Sequence, residues 1–437
     1  MDAPVINVGI MTQKAISFSF NEEYVHTETG IFTKGEQRAL WVNGKIIYNG
    51  KIYDELFFEP TTTDSSFDLK AVTIGVDFHW QRQEDQRFKG ALNLVATKDG
   101  IVAINQVDIE EYLTSVISSE MSANASLELL KSHAVISRSW ILAQVEKNFK
   151  ISESSIPYKS CYRDNETLIR WYDREDHELF DVCADDHCQR YQGITRASNP
   201  TVIEAIKETR GELLTSDGNI CDARFSKCCG GATELFENCW EPVHHSYLTV
   251  LRDSTDNSYP DLTIESEAEK WIRTSPEAFC NTEDRDILSQ VLNNYDQETT
   301  DFYRWKVTYT QDELSELIHK KTGIDFGHIV DLVPLERGTS GRIIKLKIVG
   351  VRRSLTIGKE LEIRRTLSES HLYSSAFVVD REDIKFDIPS KFVITGAGWG
   401  HGVGLCQIGA AVMGAKGYTY REILSHYFPG SNIEKRY

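Results

Sequence analysis

The chain has 437 residues and a formal net charge of −18, from 48 basic against 66 acidic side chains. That balance argues against a nucleic-acid partner, which usually needs a basic face, and equally against adhesion to an anionic membrane surface. With 41% hydrophobic and 26% charged residues the composition is globular, with room for two domains or one elaborated domain, and no apolar run approaches a transmembrane span.

Met1-Asp2-Ala3-Pro4 lacks a positive region followed by an apolar core, so no secretory leader is legible. The chain reads either as cytosolic or as a mature form whose leader has been removed. Residues 1–104 read as β structure. Val5 to Ile10, Ala15 to Phe20 and Ala91 to Ala96 are rich in β-branched and aromatic residues, separated by turn signals such as Asn43-Gly44, Asn49-Gly50 and Asp99-Gly100. A last strand from Ile101 to Asn105 leads into helix. Residues 105–254 are expected to form a helical core. Asp108 is the expected cap of a first helix, with Glu111 completing a capping box, and Tyr112, Leu113, Val116 and Ile117 make an apolar stripe. The next step of that stripe is Glu120. Burial disfavours the charged carboxylate and raises its pKa, which is what a general acid requires at neutral pH. After Asn124-Ala125-Ser126 a second helix carries Leu127, Leu130, Ala134, Ile141 and Val145, with Lys131 and Arg138 seven residues apart on one face. The alternative for these charges is a buried structural ion pair.

Between His177 and Cys188 two histidines and two cysteines, His177, Cys183, His187 and Cys188, lie among acidic neighbours, a donor set suited to tetrahedral zinc. The spacing is not that of a standard finger. A Cys183–Cys188 disulfide, or two free thiols with surface histidines, remain open readings. The run Ala223 to Glu234 holds Cys228-Cys229-Gly230-Gly231, flanked by Ser226 and Thr233, and reads as a tight turn offering amides and hydroxyls. No G-x-S-x-G elbow surrounds Ser226, so a serine hydrolase is not indicated. Cys221, Cys228, Cys229, Cys239 and Cys280 fall in one region, where one or two disulfides are compatible with an oxidising compartment.

Residues 255–385 read as an accessory α/β unit, with helices at Glu265–Arg273, Asp284–Asn294 and Gln311–Thr322 and strands at Ile329–Leu335, Gly341–Ile348 and Phe377–Val379. Residues 386–437 return to the core. There Gly396, Gly398, Gly400, Gly402 and Gly404 alternate before a helix, clearing one face of an extended segment for another backbone or a sugar ring. Trp399 is placed to stack on a sugar or to pack in the core, and His401 and Gln407 to hydrogen-bond hydroxyls. The segment is neither a P-loop nor a dinucleotide fingerprint. The fold class expected is α+β.

Asn105-Gln106-Val107-Asp108-Ile109-Glu110-Glu111-Tyr112-Leu113, Ser119-Glu120-Met121 and Leu130 to Ser139 resemble the signature of the stage II sporulation protein D (SpoIID/LytB) family. The Cys-Cys-Gly-Gly turn and the glycine-tryptophan-glycine-histidine C-terminus are similar to that family too. The departures are Phe225, Lys227 and Cys406 where tyrosine, serine and serine are usual. The resemblance implies a peptidoglycan lytic transglycosylase outside the cytoplasm, with Glu120 as its single catalytic acid and base. Lys131 and Arg138 would tune Glu120 and hold sugar, and Ser226, Trp399, His401 and Gln407 would border the glycan. It implies a structural zinc on His177, Cys183, His187 and Cys188, since some members bind zinc at this place, and no catalytic cofactor. Other members are described as enhancers of a partner amidase, which leaves a non-catalytic wall-binding module as the rival.

Overall fold

Alternation of buried and exposed side chains carries the first hundred residues into strands. Along Ala15–His26, for example, Ile16, Phe18, Phe20 and Tyr24 point inward and are enclosed. The structure, a computed structural model, describes residues 3–74, 82–122, 124–153, 160–171, 177–185, 188–195, 199–256, 258–291 and 300–437. Its class is α+β. Among the described residues an eleven-stranded sheet gathers the ten strands from Val5 to Asp108 and one strand from later in the chain. Asn43-Gly44 and Asn49-Gly50 turn its hairpins with both residues of each pair at positive φ, as that sequence signal implies.

Two features tie this sheet to the rest of the chain. The strand Ile101–Asp108 runs without a break into helix α1, Ile109–Glu120, after which comes α2, Leu127–Glu153. The short strand Val182–Cys183 adds in parallel beside Val8 and Gly9, so the cysteine-histidine loop is anchored to the sheet. One core joins the sheet, α1, α2 and the C-terminal helices Gln407–Ala415 and Tyr420–Tyr427.

A second core lies between Trp305 and Ile394. Its Gln311–Thr322 helix starts at a Thr310–Glu313 capping box and ends at left-handed Gly323, and the Glu265–Arg273 helix also stands where the pattern placed it. The expected Asp284–Asn294 helix covers Arg285–Val291, its last positions lying outside the described residues. The sheets cross the divisions drawn from sequence. Thr167–Arg170 pairs with Ser354–Gly358, and the division at 385 falls between Phe377–Glu382 and Lys391–Ala397, which are neighbours in one sheet. Among the described residues no helix is long and apolar enough to cross a membrane.

Candidate active site and metal cluster

Helix α1 is built as the pattern demands, with one correction at its start. Asp108 caps it by accepting the Glu110 N–H at 2.8 Å, but Glu111 does not close the box. Its carboxylate meets Lys89 Nζ at 3.1 Å instead. Tyr112, Leu113, Val116 and Ile117 are all completely buried. Glu120 is the last residue of the helix and is half-buried. Its Oε1 faces the Arg190 backbone N–H at 3.4 Å. That amide belongs to a loop held against α1 by three contacts: the Tyr112 hydroxyl donating to Gln189, the Gln192 N–H donating to Ser115, and Tyr191 stacked on Tyr112.

Arg138 and Lys131 are committed elsewhere than the sequence placed them. Arg138 is wholly enclosed and grips Glu110 with two hydrogen bonds, Nε to Oε1 at 3.0 Å and Nη2 to Oε2 at 2.7 Å. Glu110 also accepts the Tyr437 hydroxyl at 2.7 Å, so this pair joins both helices to the C-terminus. Lys131 bridges Glu128 at 3.1 Å and Glu208 at 2.6 Å. The structural reading of these two cations is the one their geometry fits. Glu110 was legible in principle, because it lies three and seven residues before Leu113 and Ile117 on the buried stripe.

The glycine-rich C-terminus does not run extended. Four of its five alternating glycines, Gly398 to Gly404, have positive φ. A side chain at Gly404 would place Cβ 2.1 Å from the Arg224 carbonyl, and one at Gly402 would meet the Arg342 guanidinium. The close approach expected of these glycines is therefore to the chain's own backbone and to a buried arginine. It allows the parallel pairing of Phe225-Ser226 with Leu405-Cys406.

Around that pairing the four expected sugar contacts gather, mostly turned inward. Ser226 is buried, and its hydroxyl has no hydrogen-bond partner among the described residues. Gln407 is enclosed and joined at 3.0 Å to Nε2 of buried His133, which also packs on Phe225. Burial, reinforced by Lys227, holds the His133 pKa down at about 3. His401 accepts the Val403 N–H on Nδ1 at 3.0 Å, and burial followed by Arg224 and Arg342 keeps its ring neutral. Trp399 is half-buried between Phe302, 4.7 Å away, and Tyr373, 4.4 Å away. The helix Arg285–Val291 lies between this cluster and Glu120. Lys227 Nζ donates to the Val291 carbonyl at 2.5 Å, while Ser122 and Ser126, just past Glu120, donate backbone N–H groups to Gln290.

Near the Glu120 loop, His177, Cys183 and Cys188 bring their ligand atoms within 4.8 Å of one another. The fourth expected ligand, His187, lies outside the described residues. The disulfides expected are absent, since all nine cysteines are free thiols. Sequence reasoning also passed over Glu234. It is buried and accepts from the backbone and hydroxyl of both Thr339 and Ser340, from Leu235 N–H and from Asn238, fixing the 338–341 turn.

Residues 97–216 match the model for the Stage II sporulation protein, and residues 234–404 match a domain of unknown function (DUF8618). The Stage II sporulation protein D of Bacillus amyloliquefaciens is 22% identical over 76% of this chain and 76% of its own length. These matches support the stage II sporulation protein D family for this chain. An uncharacterized protein of Brachyspira hyodysenteriae is 25% identical, covering 79% of this chain and 72% of its own. The Amidase enhancer of Bacillus subtilis is 22% identical over 74% of this chain but only 40% of its own length. The stage II sporulation match spans Glu120, both cations and the cysteine-histidine cluster, whereas Trp399 and His401 fall in the second match.

Proposed function

We propose that this protein is a peptidoglycan lytic transglycosylase. It cuts the MurNAc–GlcNAc β-1,4 bond of glycan strands and leaves 1,6-anhydroMurNAc ends, with Glu120 as general acid and base. The observation that carries the reading is the position of Glu120, half-buried at the carbonyl end of the helix whose buried stripe is Tyr112, Leu113, Val116 and Ile117. Glu120 donates its proton to the departing glycosidic oxygen. The C6 hydroxyl of the same muramic acid attacks the anomeric carbon and returns its proton to Glu120, so no water is consumed. Most glycosidases need two carboxylates; here the intramolecular hydroxyl stands in for the second.

Lys131 and Arg138 are committed to other carboxylates, so neither of these two cations is the one that would hold Glu120 charged. In this account the glycan meets the exposed edges of partly buried Trp399 and His401, while Ser226 and Gln407 hold that surface from within. A structural zinc on His177, Cys183, Cys188 and His187 stiffens the loop whose Arg190 amide faces Glu120. Cys188 Sγ lies 3.4 Å from His177 Nε2, close to the edge of about 3.5 Å that a tetrahedral zinc with these ligands sets. The substrate places the protein outside the cytoplasm, in the cell envelope. The relative named Amidase enhancer favours a second reading, a wall-binding partner of an amidase.

Digestion of purified sacculi separates the two. The native protein should release soluble glycan, and Glu120→Gln should lower the rate about 10²–10⁴-fold while still sedimenting with sacculi. Sedimentation of both with release by neither, together with stimulation of an added amidase, would favour the second reading.

A further inference from the structure

Apart from the His177 loop, four chain segments bring a second set of metal-binding atoms together. Cys229 from the double-glycine turn, Asp253, Cys280 and Cys406 place their sulfur and carboxylate atoms within 4.8 Å of one another, all buried. Their separations discriminate between the two things clustered cysteines do. Cys229 Sγ and Cys280 Sγ are 3.6 Å apart. A disulfide requires about 2.05 Å, whereas a tetrahedral zinc with bonds of about 2.3 Å to sulfur sets its sulfur atoms about 3.8 Å apart. A Cys229–Cys280 disulfide would also leave Cys406 and the carboxylate outside it, and the buried Cys228 thiol lies beside Cys280 and Cys406 as well.

The carboxylate points the same way. Asp253 is completely enclosed. It accepts the Tyr427 hydroxyl at 2.6 Å and the Cys280 N–H at 2.9 Å, both neutral donors. His426 Nε2 stands 3.9 Å away, beyond hydrogen-bond reach. A buried carboxylate needs a cation or a full set of donors, and a dication bound by thiolates beside it supplies the first. Cys406 already accepts the Cys229 N–H at 3.2 Å, a contact that suits a thiolate. It also immediately precedes the Gln407–Ala415 helix, whose positive end favours anionic ligands. Gly409 in that first turn has no room for a side chain, because a Cβ there would lie 2.7 Å from both Asp253 oxygens.

We propose that Cys229, Asp253, Cys280 and Cys406 form a second, closed zinc site. Four protein ligands leave no open position, so the ion is structural. It pins the glycine-rich C-terminal segment to the double-glycine turn one residue before Gln407, whose side chain meets His133. Binding releases the thiol protons it replaces.

The test uses the full chain with Cys183→Ser and Cys188→Ser, which empties the His177 loop. Zinc content should remain near one per chain, and X-ray absorption at the zinc edge should read three sulfur neighbours and one oxygen. Adding Asp253→Asn or Cys406→Ser should remove that zinc, and cobalt soaked into the parent variant should show thiolate-to-metal charge-transfer absorption. No zinc in the parent variant, or only nitrogen and oxygen neighbours, would overturn the proposal even if the outer variants fail to fold. So would a Cys229–Cys280 disulfide found by alkylating the unmodified, unreduced protein under denaturing conditions.

Discussion

Replacing Arg138 by methionine separates a structural arginine from one that serves the glycan. The guanidinium is wholly enclosed, and its partner Glu110 is only 8% exposed at the side chain. Its two hydrogen bonds, at 3.0 and 2.7 Å, are the only charged contacts holding that carboxylate, which otherwise accepts from Tyr437 and the Gly211 N–H among the described residues. Methionine preserves much of the volume but leaves Glu110 charged and enclosed, which costs about 3–5 kcal/mol. Urea unfolding followed by circular dichroism should show that loss, with the slope unchanged. Changing Glu110 to leucine as well should recover part of it, because the stranded charge is then gone. Glycan release per folded molecule should stay within about twofold of native. A stability loss below about 1 kcal/mol, accompanied by a hundredfold loss of release, would refute this reasoning and return Arg138 to the sugar.

Acid should destabilise the protein through its enclosed histidines. His133 is held at about 3 when folded and titrates near 6.5 when unfolded, so the unfolded chain binds the extra proton between those values. Stability is therefore lost as pH falls below 6.5, by up to about 1.4 kcal/mol per pH unit for this residue. Urea midpoints at pH 7, 6 and 5 should fall less steeply in His133→Asn, and equal slopes would contradict the assignment. Gly404→Ala forces a left-handed alanine onto the Arg224 carbonyl and should cost more than the about 1–2 kcal/mol of handedness alone; a smaller loss would show that the segment can relax. Glu234→Ala strands the amides and hydroxyls of Thr339 and Ser340, so a loss of about 3 kcal/mol is expected. Amide exchange should quicken first at residues 338–341, and unchanged protection there would count against the role given to Glu234.

Where local chemistry decides structure, the sequence was enough. The Asn-Gly hairpins, the apolar stripe of α1 and the Gln311–Thr322 helix with its glycine stop all arise from periods and caps that involve only neighbours in the chain. What escaped depends on partners far along the chain. Arg138 and Lys131 share a helical face, and nothing local says that Glu110 and Glu208 will take them. The alternating glycines announced a close approach, but whether to a sugar or to Arg224 and Arg342 was decided by strands brought together from 225 and 405. The cysteines suggested disulfides because spacing along the chain carries no information about sulfur-to-sulfur distance. Nor could local sequence show that the strands on either side of residue 385, Phe377–Glu382 and Lys391–Ala397, are neighbours in one sheet.

The most direct test of the central claim is end-group analysis of glycan products by mass spectrometry, with native protein and Glu120→Gln run on purified strands with and without stem peptides. The account predicts 1,6-anhydroMurNAc ends from the native protein and none above background from the variant. Reducing ends carrying added water would contradict the intramolecular mechanism, and equal anhydro products from both proteins would remove Glu120 from the chemistry.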